Sequence, residues 1–163
     1  MNELLLGLRL LLLLTAANSA PIVLKGMLGA QWNTPLDFDH LFPDGRPWFG
    51  PSKTWRGLAA AVLVATVLAP LLGFAPEAGA LAGTLAMVGD AFSSFVKRRL
   101  ALPSGAQAFG LDQVPEALLP LLALHAIVDV PWPVLGGVTL LFLLLETPVA
   151  WVAHRFHLRE RPW

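Results

Sequence analysis

The sequence predicts an all-α fold, a polytopic membrane bundle of about five transmembrane helices forming one integral-membrane domain over residues 1–163. Three observations carry this. The chain is 56% hydrophobic and only 13% charged, about half the ~25% charge of an average soluble domain. Its apolar residues collect into five runs near the length that spans a bilayer. Its cations collect on one side of those runs.

The first run, Leu4–Leu24, predicts a helix over about 4–24; spanning takes roughly 20 apolar residues. Ala17-Asn-Ser-Ala20 resembles a signal cleavage site, yet no cation but Arg9 precedes it and the run is long for a signal core, so a retained helix is expected. Further helices are expected at about 58–74, 78–98, 114–130 and 134–153. The fourth is short and spans only by extending through Asp129-Val-Pro-Trp-Pro133, or in a thinned bilayer. Pro120 and Pro148 are expected to kink their helices. No repeat or long linker divides the chain.

Five spans put the loops 25–57 and 99–113 and the C-terminal tail on one side. Lys25, Arg46, Lys53, Arg56, Lys97, Arg98, Arg99, Arg155, Arg159 and Arg161 all fall in or beside those segments, ten of the eleven basic residues. By the positive-inside rule this side is cytoplasmic, with the N-terminus outside, the C-terminus cytoplasmic and the chain in the cell (inner) membrane. The six tryptophans fall near predicted helix ends, as interface belts do. Net charge is zero and there is no cysteine. That removes disulfides, thiolate metal sites and a cysteine nucleophile, and gives no reason to expect nucleic acid as a partner.

The chemistry gathers between Gly89 and Gln113. On a helix over 83–98, Asp90, Ser94 and Lys97 stand at i, i+4 and i+7 and share one stripe. An acid inside an apolar run is a functional hypothesis by default; the bland reading is an interhelical partner for Arg9 or Lys97. Lys97-Arg98-Arg99 alone reads as a stop-transfer cluster, and Asp112-Gln113 as a helix cap. Together, Asp90 and Asp112 would suffice for Mg²⁺, which is commonly held by one or two carboxylates plus substrate phosphates. Glu116, at i+4 from Asp112, serves the same site or only the interface, and Glu146 lies deep in the fifth helix.

In the first loop, Pro51-Ser52 reads as a helix start capped by Ser52, with Lys53 and Arg56 in the first turn, where an anion would relieve their conflict with the helix dipole. The bland reading is positive-inside flanks. Gly45, Gly50 and Lys53-Thr54 miss a Walker A by two residues. Asp44-Gly45 begins but does not complete a CDP-alcohol phosphotransferase signature, and Asp37 and Asp39 do not make an EF-hand. His125 and Asp129 read as a structural pair. His154 and His157 lack a third ligand.

Gly-Pro-Ser-Lys53-Thr54-Trp-Arg56-Gly, then Gly-Asp90-x-x-x-Ser94-x-x-Lys97-Arg98-Arg99, then Leu-Asp112-Gln113 together resemble the CDP-archaeol synthase family, small five-helix membrane enzymes related to phosphatidate cytidylyltransferase. The resemblance covers most of residues 20–150. It implies transfer of CMP from CTP to a membrane lipid phosphate with release of pyrophosphate, using Mg²⁺. Carried onto this chain, it implies Asp90, Lys97 and Asp112 as catalytic residues. Asp90 and Asp112, with Glu116 a further candidate, would hold the metal. Lys53, Thr54, Arg56, Ser94, Arg98, Arg99 and Gln113 would bind CTP and the lipid phosphate. Archaeal members often carry an Asp after the Asp-Gln pair, where this chain has Val114-Pro115-Glu116. Either Glu116 substitutes, or the metal site is reduced, and the lipid is an ether prenyl or a diacyl phosphate. A homo-oligomer is compatible with this pattern. The competing reading is a non-enzymatic channel, carrier or assembly factor whose basic loops only set topology.

Overall fold

The computed structural model describes the backbone of residues 2–155 and the side chains of residues 2–145. Five helices follow in order: α1 Glu3–Leu28, α2 Trp55–Leu71, α3 Pro76–Arg99, α4 Gln113–Val128 and α5 Trp132–Arg155. Each packs on the next in sequence, and α5 returns to α1, which also reaches α3.

α1 shows why the chain folds this way. Leu6, Leu10, Leu13, Leu14 and Ala17 form a buried stripe at helical spacing, yet Leu4, Leu5, Leu8 and Leu12 on the remaining surface are exposed. A helix apolar on every side, with only one face packed, suits a lipid surround. Its stripe meets Leu121 and Leu124 of α4 and Val138 and Phe142 of α5 in the main core. Among the described residues α1 and α3 are long and apolar enough to cross a membrane. α2, of 17 residues, and α4, of 16, extend roughly 25 Å at 1.5 Å per residue, short of the ~30 Å hydrocarbon core.

Small residues set the close contacts. Ala61, Ala65 and Ala69 of α2 are fully buried against Gly79 and Gly83 of α3. A Cβ at Gly79 would stand 2.3 Å from the carbonyl oxygen of Ala65, and one at Gly83 2.8 Å from that of Ala61. This small-xxx-small approach is how helices associate where no hydrophobic effect drives them together. Gly89 does the same against α4, where a Cβ would lie 2.4 Å from the carbonyl oxygen of Pro115.

Helix limits differ from expectation where the caps decide. α2 starts at Trp55, between the expected 58 and the start that a Ser52 cap would give, because Thr54 is the N-cap, its hydroxyl accepting from the Gly57 N–H at 3.2 Å. It ends at Leu71 ahead of Gly73, whose φ of +81° suits a residue without Cβ. α1 runs on to Leu28, capped by Gly29. Asp112 makes no side-chain cap to α4. His125 is not paired with Asp129: its Nδ1–H donates to the Val130 carbonyl at 2.6 Å and its ring packs on Trp132. The side chains of Glu146 and His154, and all of His157, Arg159 and Arg161, lie outside the described residues.

Candidate active site

α3, α4 and the loop before α2 meet at one end of the bundle. The Gly89 contact lays the start of α4 on α3, and Ser93, fully buried, ties the two by donating to the carbonyls of Leu111 at 2.6 Å and Gly89 at 2.9 Å. The same contact brings the head of α4, with the Glu116 backbone, against the turn of α3 that carries Asp90. Lys53, just ahead of α2, places Nζ 2.5 and 2.6 Å from the two carboxylate oxygens of Asp90. Burial opposes the charge on Lys53, but Asp90, Glu116 and Asp112 together hold its pKa above the ordinary value of 10.5. Neither bland partner proposed for Asp90, Arg9 or Lys97, is its ion-pair mate. Arg9 instead lies toward Gly73, at the α2–α3 turn.

About two α3 turns further on, Lys97 pairs with Asp112 at 2.6 Å and donates to the Ala106 carbonyl at 2.9 Å. The other Asp112 oxygen accepts from the Ala108 N–H at 2.8 Å. Lys97, Arg98, Asp112 and Glu116 are each under a tenth exposed, and Gln113 is fully buried. Gln113 accepts from the Gly110 N–H at 2.6 Å, while its buried amide nitrogen has no partner. Ser94 is buried on the Asp90 side of the helix stripe. Arg98 donates to the Pro103 carbonyl at 2.8 Å, and its Nε is buried without a partner. Such unpartnered buried donors cost free energy unless something else supplies an acceptor. Beside them Arg46, Gly50, Pro51, Arg98, Leu102 and Ser104 border a cavity of ≈ 280 Å³.

Two expected phosphate-binding arginines do other work. Arg56 donates to the carbonyls of Gly29 and Gln31 and to Asn33, closing the loop after α1. It does not converge with Lys53 on an anion at the head of α2. Arg99 pairs with Asp44 at 2.6 Å, donates to the Pro47 carbonyl at 2.5 Å and stacks over Phe42 and Phe95. Thr54 is engaged as the α2 cap.

Three residues that the motifs did not single out organise this frame. Asp37 accepts from the N–H groups of Phe49 at 2.9 Å and Gly50 at 2.8 Å, holding the loop that carries Lys53. Desolvation would raise its pKa, but these N–H groups and that of Asp39 bring it below the ordinary 3.8. Arg46 donates to the carbonyls of Arg98 at 3.2 Å and Arg99 at 2.7 Å, satisfying the end of α3. Trp48, read as an interface anchor, packs with Phe42 and Phe95. A buried loop acid five residues before a Phe-Pro-Asp-Gly turn is a signal for such a role only after the loop is seen folded.

Acids and cations alternating in a half-dry site at the end of a lipid-facing bundle define a class: an intramembrane enzyme acting on phosphates. The comparisons agree. The structure aligns with a solved structure described as an intramembrane enzyme for archaeal membrane lipid biosynthesis, at a TM-score of 0.73 and 29% identity, covering 86% of this chain and 90% of that one. The family model CarS-like, CDP-archaeol synthase, matches residues 1–80 and 74–163. The CDP-archaeol synthase of Hyperthermus butylicus is 39% identical, covering 91% of this chain and 89% of that protein. That of Pyrococcus horikoshii is 35% identical over 100% of this chain and 99% of its own length. The chain belongs to the CDP-archaeol synthase family, and is a membrane-embedded nucleotidyltransferase of lipid biosynthesis.

Proposed function

We propose that the chain transfers CMP from CTP to the phosphate of an archaeal ether lipid, releasing pyrophosphate, at a site that faces the cytoplasm. The juxtaposition of Lys53, Asp90, Glu116, Lys97 and Asp112 carries this reading. The lipid phosphate oxygen attacks the α-phosphorus directly and pyrophosphate leaves, so no covalent enzyme intermediate is needed. Catalysis is then alignment and charge neutralisation. Lys53 and Lys97 would neutralise phosphate oxygens as point charges, Arg98 would grip them from the cavity side, and Gln113 and Ser94 would orient the nucleotide. An apolar groove of ≈ 360 Å³ between α1 and α2, bordered by Ala20, Leu24, Met27 and Val64, suits a lipid chain.

The acids fit Mg²⁺. Asp90, with Asp112 and Glu116 as further carboxylates around Lys53, offers the hard oxygen donors that this ion takes. No group of three or more acidic or histidine side chains able to hold a metal occurs among the described residues, so phosphates and water must complete the shell, as is usual for this ion. Asp90 and Asp112 are the residues that would hold it, with Glu116 a further candidate. Bound there, Mg²⁺ would supply Lewis-acid stabilisation of the triphosphate.

The test is pyrophosphate release by the purified protein in detergent with CTP, Mg²⁺ and, in parallel, unsaturated archaetidic acid and phosphatidic acid. Release with archaetidic acid, reduced at least about 100-fold by Asp90→Asn, is expected. Full activity in that variant would refute the residue roles, and turnover of phosphatidic acid alone would refute the lipid.

A further inference from the structure

We infer that the segment following α1, residues 29–38, is a shelf seated in the bilayer: its aromatic rings enter the boundary between headgroups and acyl chains, in the leaflet on the Lys53 side. Four large apolar side chains stand exposed where α1 ends and α2 begins. Met27, in the last turn of α1, is 75% exposed, and Trp32, four residues past that helix, is 78% exposed. Phe38 is 58% exposed, and its ring lies 6.0 Å from that of Trp55, the first residue of α2.

Hydrogen bonds hold this segment level with the helix ends. Arg56, in the first turn of α2, donates to the Gly29 carbonyl at 2.7 Å and to Oδ1 of Asn33 at 2.9 Å. The Trp55 N–H donates to the Thr34 carbonyl at 3.1 Å, and the Leu36 N–H to the Lys53 carbonyl at 2.8 Å. The rings are therefore fixed at the depth where a lipid-facing bundle meets the headgroups.

Two observations choose the bilayer as the occupant. Trp32 and Phe38 have φ of +51° and +48°, a conformation that bulky residues rarely adopt. Strain of this kind persists only where the surroundings enforce it, and turning two rings outward into water recovers none of it. At a membrane interface the same rings find the layer in which aromatic side chains settle. The second observation is continuity. Met27 borders the apolar groove between α1 and α2 together with Val23, Leu24 and Val64, and α1 also exposes Leu8 and Leu12. Acyl chains lying in that groove reach Met27, at the edge of the shelf. Gln31, Asn33 and Asp39, exposed between the rings, suit the hydrated headgroups. Because Thr34 and Leu36 pair with the backbone of Trp55 and Lys53, a shelf seated this way sets the depth of Lys53 in the membrane.

The experiment reads depth and needs no turnover. The chain has no cysteine, so Phe38→Cys and Trp32→Cys each carry a single bimane label, in full-length protein reconstituted into dioleoylphosphatidylcholine vesicles. Ser104→Cys, exposed in the loop between α3 and α4, is the water-facing reference. The labels at 38 and 32 should emit to the blue of the label at 104. They should lose intensity when the lipid carries brominated acyl chains, and resist iodide admitted to both sides of the vesicle. The label at 104 should show the reverse. If one of the two variants does not fold, the other decides. Quenching by iodide without quenching by bromine at 38 and 32 overturns the inference and leaves the rings to a protein partner. Bromine quenching as strong at 104 as at 38 overturns it too, since the segment would then sit no deeper than an ordinary loop.

Discussion

Asp37 has no part in the chemistry proposed above, yet the position of Lys53 depends on it. Its carboxylate gathers the N–H groups of Phe49 and Gly50, three residues before the lysine. Charge-assisted hydrogen bonds of this kind contribute about 2 kcal/mol, so Asp37→Ala should lower stability by that order. The sign of the pH dependence follows from its lowered pKa. The stabilisation is present at neutral pH and is lost as pH falls through the folded-state value, below the ordinary 3.8. Melting curves in detergent at pH 7 and pH 3 should therefore show a larger deficit of the variant at the first than at the second. A deficit of equal size at both would mean that the side chain acts by packing. Charge and spacing marked Lys53, Asp90, Lys97 and Asp112 as candidates, and the family resemblance gave them roles; those signals are local. Asp37, Ser93 and Arg46 escaped because their partners are backbone groups of distant segments, which no residue pattern encodes.

At the scale of elements, the site depends on how near α3 comes to α4. A Cβ on Gly89 would lie 2.4 Å from the carbonyl oxygen of Pro115 and 2.7 Å from the backbone nitrogen of Glu116. Backbone cannot yield as a side chain tip can, so Gly89→Ala should push the head of α4 outward and separate Glu116 from Asp90. An overpacking cost of about 1–3 kcal/mol is expected, with a larger proportional loss of pyrophosphate release than of folded protein. Retention of full activity would show that the two helices have slack at this point. Helix number and order were legible because apolar runs are long signals. The ends were less so: Thr54 outcompeted Ser52 as the α2 cap, since the β-bridge between Pro35 and Thr54 fixes the extended backbone there. Arg56 and Arg99 looked like phosphate ligands for the same reason that Lys53 did. Only the folded loops reveal carbonyls and Asp44 within their reach.

For the whole molecule, the one-sided distribution of cations predicts which end meets the cytoplasm. The chain contains no cysteine, so single cysteines report cleanly. Ser104→Cys, in the loop between α3 and α4, should resist a membrane-impermeant maleimide in right-side-out vesicles and react after permeabilisation. Ala75→Cys, at the α2–α3 turn, should react in both. The reverse pattern would invert the topology and put the proposed site on the side away from CTP. The apolar outer surface of α1 supports membrane residence by itself, but it is blind to direction; only the basic loops carry that information.

The order of the chain has a consequence for its biosynthesis. Lys53 precedes α2, Asp90 follows within α3, and the Gly79 and Gly83 contacts clasp the two helices into a hairpin. A ribosome therefore delivers the ammonium before the carboxylate it will accompany, within a pair of adjacent segments that can enter the bilayer together. The acid that would be costly to bury alone meets its counter-ion locally, ahead of the synthesis of α4. Asp112 then arrives to pair with Lys97.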